Sequence, residues 1–379
     1  MVVELGEAEI RYWLQEEDDL LLQGLYERAD SMRKARVGEA VHLRGLIEIS
    51  NYCVRQCLYC GLRAANRSLP RYRMTEAEIM ECVRQAVELG YGTVVLQAGE
   101  DYGIRGDWLS AIIGRIKLET GLAVTLSLGE RGEEDLRSWR EAGADRYLLK
   151  FETSDLDLYR RVHPRRGKEP SNRIAMLQRL RDLGYEVGSG VMVGIPGQTY
   201  RSLAHDIHLF GSLDLDMIGV GPYLPHPATP LGREGGRWAA PEDQQVPNTE
   251  RMSYKVIALS RLVCPDANIP STSALATLNP REGRALGLQR GANVIMPNLT
   301  PPLYRRSYQI YPGKGDGWED VVTFDTEIKE LILSLGRMVG TGRGDSPGRA
   351  RRQSGLGAAG GKKARKGERN GGIAISCLE

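Results

Sequence analysis

Cys53, Cys57 and Cys60 stand within eight residues of one another, spaced C-x3-C-x2-C, with Tyr59 directly before the last. Three thiolates at this spacing can ligate three irons of a 4Fe-4S cluster and leave the fourth iron open. An open iron is what S-adenosylmethionine (SAM) needs, because its amino and carboxylate groups can chelate it. The alternative is a structural zinc site, which normally takes four closed ligands. Neither Cys82 nor a nearby histidine supplies an obvious fourth. The six cysteines, three clustered and three scattered (Cys82, Cys264, Cys377), do not form a disulfide framework.

The elements around the triad must hold it in place. Strands are predicted at 43–49, 93–98, 122–128, 145–151, 186–193, 215–220, 267–270 with the following loop, and 292–296. Helices are predicted between them near 75–89, 107–119, 133–142, 171–183, 199–211, 248–263 and 280–288. Thr75 and Glu78 make a capping box, and Gly90, Gly121, Gly143 and Gly184 mark C-terminal stops. Strands alternating with helices demand parallel pairing and right-handed crossovers. Eight of them give an α/β fold, a (β/α)8 TIM barrel, with the cysteines in the loop after the first strand on the catalytic face. Polar helices at 7–14 and 18–35, with Leu20, Leu21, Leu25 and Met32 on one face, are expected to close the barrel's bottom. The domain reading is thus a helical extension (1–40), a barrel (41–340) and a basic tail (341–379).

That tail carries nine Lys/Arg against three Asp/Glu, a net of +6 in a chain whose formal charge is +2. Its Gly, Arg, Lys and Ser content predicts disorder, since little apolar surface is there to offset ordering entropy. Arg343, Gly344 and Asp345 match an integrin-binding tripeptide, for which coincidence is the simpler reading. The mildly acidic body gives no electrostatic case for specific nucleic-acid binding. With no run of eighteen apolar residues and no basic-then-apolar start, the sequence predicts a cytoplasmic protein without membrane partners.

A series of motifs in fixed order, SNYCVRQCLYCGLR, RYRMT, VVLQAGED, VTLSLGE, EAGADRYLL, MVGIPGQT, GPYLPHPATPL, ANVIMPN and YPGK, resembles the radical SAM FeFe-hydrogenase maturases of the HydE family from about residue 41 to 314. Methylornithine synthase and biotin synthase are similar but share fewer of them. The resemblance implies a radical SAM enzyme that reductively cleaves SAM to a 5′-deoxyadenosyl radical during assembly of the hydrogenase two-iron subcluster. It implies an iron-cysteine carbonyl cyanide species as substrate, other hydrogenase maturases as partners, and an electron donor such as ferredoxin or flavodoxin. Gly99 and Glu100 would meet the SAM ammonium. Glu152 and Arg173 would contact its ribose or ammonium and its carboxylate; the alternative is a mutual salt bridge at the barrel rim. The glycines Gly188, Gly190, Gly194 and Gly197 would leave backbone room for adenosine, with Ile195 and Met217 as apolar neighbours. Thr125, Thr272, Ser273, Met296, Tyr304, Tyr308 and Tyr311 align with residues lining the family's substrate cavity and anion sites, and each alone could equally be packing. His226 reads as a loop histidine bonded to backbone.

Two departures stand out. Lys150 and Phe151 occupy a place where some family members have Arg and His; Lys keeps the charge but loses the bidentate fork, which keeps a free amino-acid mutase in view. Many HydE-like proteins carry a second cluster near the barrel's C-terminal end, but residues 312–340 contain no cysteine. One cluster is expected.

Overall fold

The computed structural model describes residues 5–165, 171–314 and 320–353. Its centre is a ring of parallel strands. Ala40–Ser50 pairs with Thr93–Ala98, then follow Ala123–Ser127, Arg146–Leu148, Glu186–Ser189 and Met217–Ile218. Single bridges complete the circle: Met217 to Asn268, Pro270 to Val294, and the strand Val294–Ile295 back onto the first at His42 and Leu43. Eight positions around the ring match the predicted barrel. The seventh is only a pair of bridges, because Pro270 has no N–H to give a ladder.

The first strand is buried along nearly its whole length, as a parallel strand covered on both faces must be. Glu76–Glu88 starts at the anticipated capping box on Thr75 and Glu78. A short helix, Leu156–Val162, not anticipated, begins where Asp155 accepts the amides of Asp157 and Leu158. No helix among the described residues is long and apolar enough to cross a membrane.

Two expectations are corrected. The N-terminal helices, Glu7–Gln15 and Asp19–Val37, clasp the barrel's flank, packing on Tyr200–Ser212 and Glu250–Val263. Their inward face carries Leu22, Leu25, Tyr26 and Ala29, whereas Leu20 and Leu21 are exposed.

What closes the bottom is the start of the supposed tail. Met338 and Val339 pair with Ala40 and Val41, and Pro347–Gln353 is helical. Between them the Arg343 carbonyl accepts from Thr93 Oγ1 and Arg146 Nη2, both at 2.8 Å, and the Gly344 carbonyl accepts from Arg44 at 3.0 Å and Asn268 at 3.1 Å. Arg343 pairs with Asp145 at 2.6 Å, and Asp345 pairs with Arg146. The composition hid this because the segment is held by backbone carbonyls and ion pairs rather than by apolar burial. The integrin-like tripeptide is therefore part of the barrel floor, and the disorder expected for 341–353 is not found. The rest of the tail lies outside the described residues.

Candidate active site at the mouth of the barrel

The cysteine loop leaves the first strand at Ser50 and is fastened to its neighbours by backbone bonds. Val54 N donates to Glu100 O at 2.9 Å, Leu58 N to Val162 O at 2.8 Å and Gly61 N to Ile310 O at 3.2 Å. Arg71 closes the loop from within, donating to the carbonyls of Asn51, Leu62, Arg63 and Asn66. Gly99 has to be glycine for the same reason: a Cβ there would lie 2.2 Å from Tyr52 O and 2.8 Å from Cys53 Cβ.

Burial raises all three thiols, that of Cys57 to about 12; Cys53 charge pushes Cys57 further, Cys57 and Cys53 push Cys60, and Glu100 pushes Cys53. Three thiolates can coexist here only with cations among them, which is what an iron cluster provides. Among the described residues no three His, Cys, Asp or Glu side chains could share a single metal ion. A four-iron cluster is a larger body that reaches each ligand through a separate iron.

The cysteines open onto a cavity of about 360 Å³ that descends into the barrel. It falls in the ~300–1,000 Å³ range of small-molecule sites. Tyr59, Gly99, Glu100, Thr125, Lys150, Glu152, Arg173, Met217, Thr272, Ser273, Met296, Tyr308 and Tyr311 all line it, alongside Cys53, Cys57 and Cys60. The buried Oγ1 atoms of Thr125 and Thr272 have no hydrogen-bond partner. Ser273 Oγ and Tyr311 OH bond at 2.6 Å, and Tyr308 OH accepts from Gln97 at 3.1 Å.

Arg173 donates from Nε to Glu130 at 3.0 Å, from Nη1 to the Lys150 carbonyl at 2.7 Å, and from Nη2 to His163 Nε2 at 2.8 Å. Arginine only donates, so Nε2 accepts and the neutral ring carries its proton on Nδ1. Burial, reinforced by Arg173, holds His163 down to about 2, consistent with that neutral form. Of five N–H groups three are committed, leaving one on each terminal nitrogen for a ligand. Glu152 sits at φ 65°, with Thr153 N donating to Phe151 O across it at 2.8 Å, a strained three-residue turn. Its Oε2 lies 3.3 Å from Lys150 Nζ without hydrogen-bond geometry. Glu152 and Arg173 therefore do not form the mutual salt bridge that was the alternative.

Several expectations change. Glu100 already accepts from Arg55 at 2.7 Å, Tyr102 at 3.0 Å and Glu130 N at 3.0 Å, so its carboxylate organises the protein. Tyr304 points away from the cavity, stacking on Tyr72 at 4.5 Å and donating to Glu78 at 2.7 Å. Ile195 lies one layer back, in a cluster with Leu158, Val162 and Tyr223. Gly188, Gly190, Gly194 and Gly197 face protein rather than the cavity: a Cβ on each would meet Met217, Gly219, Asn248 or Trp238. The glycines that open backbone to the cavity are Gly99, Gly129, Gly219 and Gly221. His226 accepts from Ala228 N at 3.0 Å and packs beneath Gly61, as the backbone-bonded reading requires.

Sequence reasoning missed Arg44, Arg55, Glu130 and Lys314. Arg44 lies at the cavity floor, its Nη1 3.1 Å from Met217 Sδ and its Nε without a partner; burial lowers it to about 9. Lys314 is paired with buried Glu48 and lies 4.9 Å over the Tyr308 ring. Both basic residues stand inside quoted or strand segments, where only an inward direction could have marked them.

A family model described as the Radical SAM superfamily matches residues 47–210. The chain is 46% identical to the [FeFe] hydrogenase maturase subunit HydE of Thermotoga maritima over 318 residues, 84% of this chain and 87% of that protein. The chain belongs to the HydE family. Another relative, 3-methylornithine synthase of Methanosarcina acetivorans, is 28% identical over 88% of this chain and 89% of its own length. The crystal structure of methylornithine synthase (PylB) superposes with a TM-score of 0.72 at 25% identity, covering 93% of this chain and 97% of that one. As in the rest of the HydE family, the fold is thus that of a radical SAM enzyme.

Proposed function

We propose that this enzyme acts in assembly of the FeFe-hydrogenase two-iron subcluster, using one 4Fe-4S cluster on Cys53, Cys57 and Cys60 and SAM bound beside it. A bound cluster of this kind supplies one electron to SAM, whose C5′–S bond then breaks to methionine and a 5′-deoxyadenosyl radical. The chain's own residues bind, orient and exclude water. Arg173 offers its two uncommitted N–H groups to the SAM carboxylate, Glu152 meets the ribose or ammonium, and the edge at Gly99 lies against the cysteine loop. The observation that carries this reading is that Arg173 and the three thiols line one cavity, with the Arg173 charge near enough to act on Cys53 and Cys57.

Below SAM, Arg44 at the cavity floor, its Nε without a partner, suits a small anionic substrate, while Lys150 and Lys314 on the walls already face Glu152 and Glu48. An iron-bound cysteine bearing carbonyl and cyanide has that character, and other maturases would deliver or receive it. The electron comes from a one-electron donor such as ferredoxin or flavodoxin. Cys82 and Cys264 are buried in separate helical segments, Cys377 is outside the described residues, and a second cluster is not part of this proposal. Reconstitution should yield about four irons per chain; a second electron paramagnetic resonance signal surviving loss of the three cluster cysteines would refute the single-cluster reading.

A rival substrate is a free amino acid, favoured by the close superposition on methylornithine synthase. Incubating reduced enzyme with SAM and lysine separates the two. A rearranged lysine product supports the mutase, whereas loss of hydrogenase activity on gene deletion, with no such product, supports maturation.

A further inference from the structure

Glu130 closes the VTLSLGE motif, just past the third strand, and does not itself line the cavity. Its carboxylate accepts from Arg173 Nε at 3.0 Å and Ser171 Oγ at 2.6 Å and forms an ion pair with Arg55 Nη2 at 2.8 Å, while its backbone N donates to Glu100 at 3.0 Å. The charges alternate along one row: Glu100, Arg55, Glu130, Arg173. Arg55 lies between Cys53 and Cys57, so the row runs from the cysteine loop to the cavity wall. Ser171 also bonds Tyr159 OH at 2.7 Å, and the Tyr159 ring stacks on His163 at 4.8 Å, which grips the other end of Arg173.

Resting on the reading that Arg173 binds SAM, we infer that Glu130 is the positioning residue that aims Arg173 and locks its direction to the cysteine loop through Arg55. A guanidinium on a long side chain has several rotamers, and only one points its two uncommitted N–H groups into the cavity. Glu130 and His163 fix that rotamer, while Arg55 cancels the extra negative charge of Glu100. The row is neutral as a whole, so what Arg173 offers an incoming carboxylate is its two uncommitted N–H groups held in one direction. A buried carboxylate shared by two guanidinium groups cannot be replaced by an amide without turning an NH2 toward one of them.

The test uses the full chain with its cluster reconstituted, measuring SAM dissociation constants by equilibrium dialysis and cluster content by iron analysis and electron paramagnetic resonance. Glu130→Gln should keep normal cluster content and bind SAM at least tenfold more weakly. Combined with Arg173→Ala it should bind no worse than Arg173→Ala alone, because the aimed group is already gone. Arg55→Gln with Glu130→Gln should recover part of the loss, since an amide pair can satisfy both positions and free one oxygen for Arg173. SAM affinity of Glu130→Gln within twofold of the parent, or losses that multiply in the Glu130→Gln, Arg173→Ala double variant, would overturn the inference. So would loss of iron in Glu130→Gln, which would make Glu130 a prop of the cysteine loop. Unchanged SAM affinity in Arg173→Ala would instead overturn the reading on which the inference rests.

Discussion

Each thiol of the triad is raised by burial, so each becomes a thiolate only with a cation such as cluster iron against it. Cys53→Ala, Cys57→Ala and Cys60→Ala should each abolish SAM cleavage, assayed as 5′-deoxyadenosine released on reduction, while Cys82→Ala and Cys264→Ala stay active. Arg173→Ala should cost about 1–3 kcal/mol of SAM binding, the loss of a charged hydrogen bond in a buried site. Asp206 titrates elsewhere: fully buried, accepting Ser154 N and Oγ, it is raised by desolvation to about 7. Its folded pKa exceeds the unfolded ~4. Its contribution to stability is then fully present below pH ~4 and is lost as pH rises through 7. The melting temperature of Asp206→Asn relative to the parent should therefore climb between pH 5 and 8; a flat difference would contradict the shift.

At the scale of elements, the site depends on how tightly the cysteine loop seats on the end of the second strand. Gly99 is the contact point, with no room for a methyl group against the Tyr52 carbonyl. Gly99→Ala should lift the loop and lower iron content after reconstitution while far-ultraviolet circular dichroism keeps the parent spectrum, because Gly99 lies just past the end of the strand Thr93–Ala98. The strained turn at Glu152 is a second such device: Gly190 O accepts Glu152 N at 3.1 Å, and Asp206 holds Ser154 two residues on. Strain of ~1–3 kcal/mol is maintained there only because neighbouring elements over-determine it.

Over the whole molecule, the barrel is closed at one end by the cysteine loop and at the other by residues 341–353. Ending the chain at Gly340 would strip Arg44 and Asn268 of the Gly344 carbonyl and expose the fully buried Arg146–Glu186 pair, 2.7 Å apart. Such a truncation should lower stability by at least ~2 kcal/mol relative to a chain ending at Gln353, since each stranded buried donor costs ~1–3 kcal/mol. Urea unfolding of the two chains would measure it; equal midpoints would show the floor to be dispensable.

The sequence alone determined the cofactor chemistry and the fold class, for a physical reason. Cysteine spacing, strand periodicity and helix caps are local, and the triad, the alternating elements and the Thr75 capping box lie within a few residues of one another. Most of the residues it named line the cavity, because motifs at strand ends fall on the catalytic face of any such barrel, although much of the lining, Arg44 and Lys314 included, was not among them. Only tertiary structure decided direction and partnership. Tyr304 turns outward to Glu78, and Arg44 turns inward beneath Met217. The glycines after the fifth strand make room for other backbone, and Glu130 joins Arg55 to Arg173 across 118 positions of chain that no periodicity connects. The basic tail shows the same limit at its clearest: composition measures how much apolar surface a segment can bury, but carbonyls and ion pairs that meet partners some two hundred residues away can order it without any.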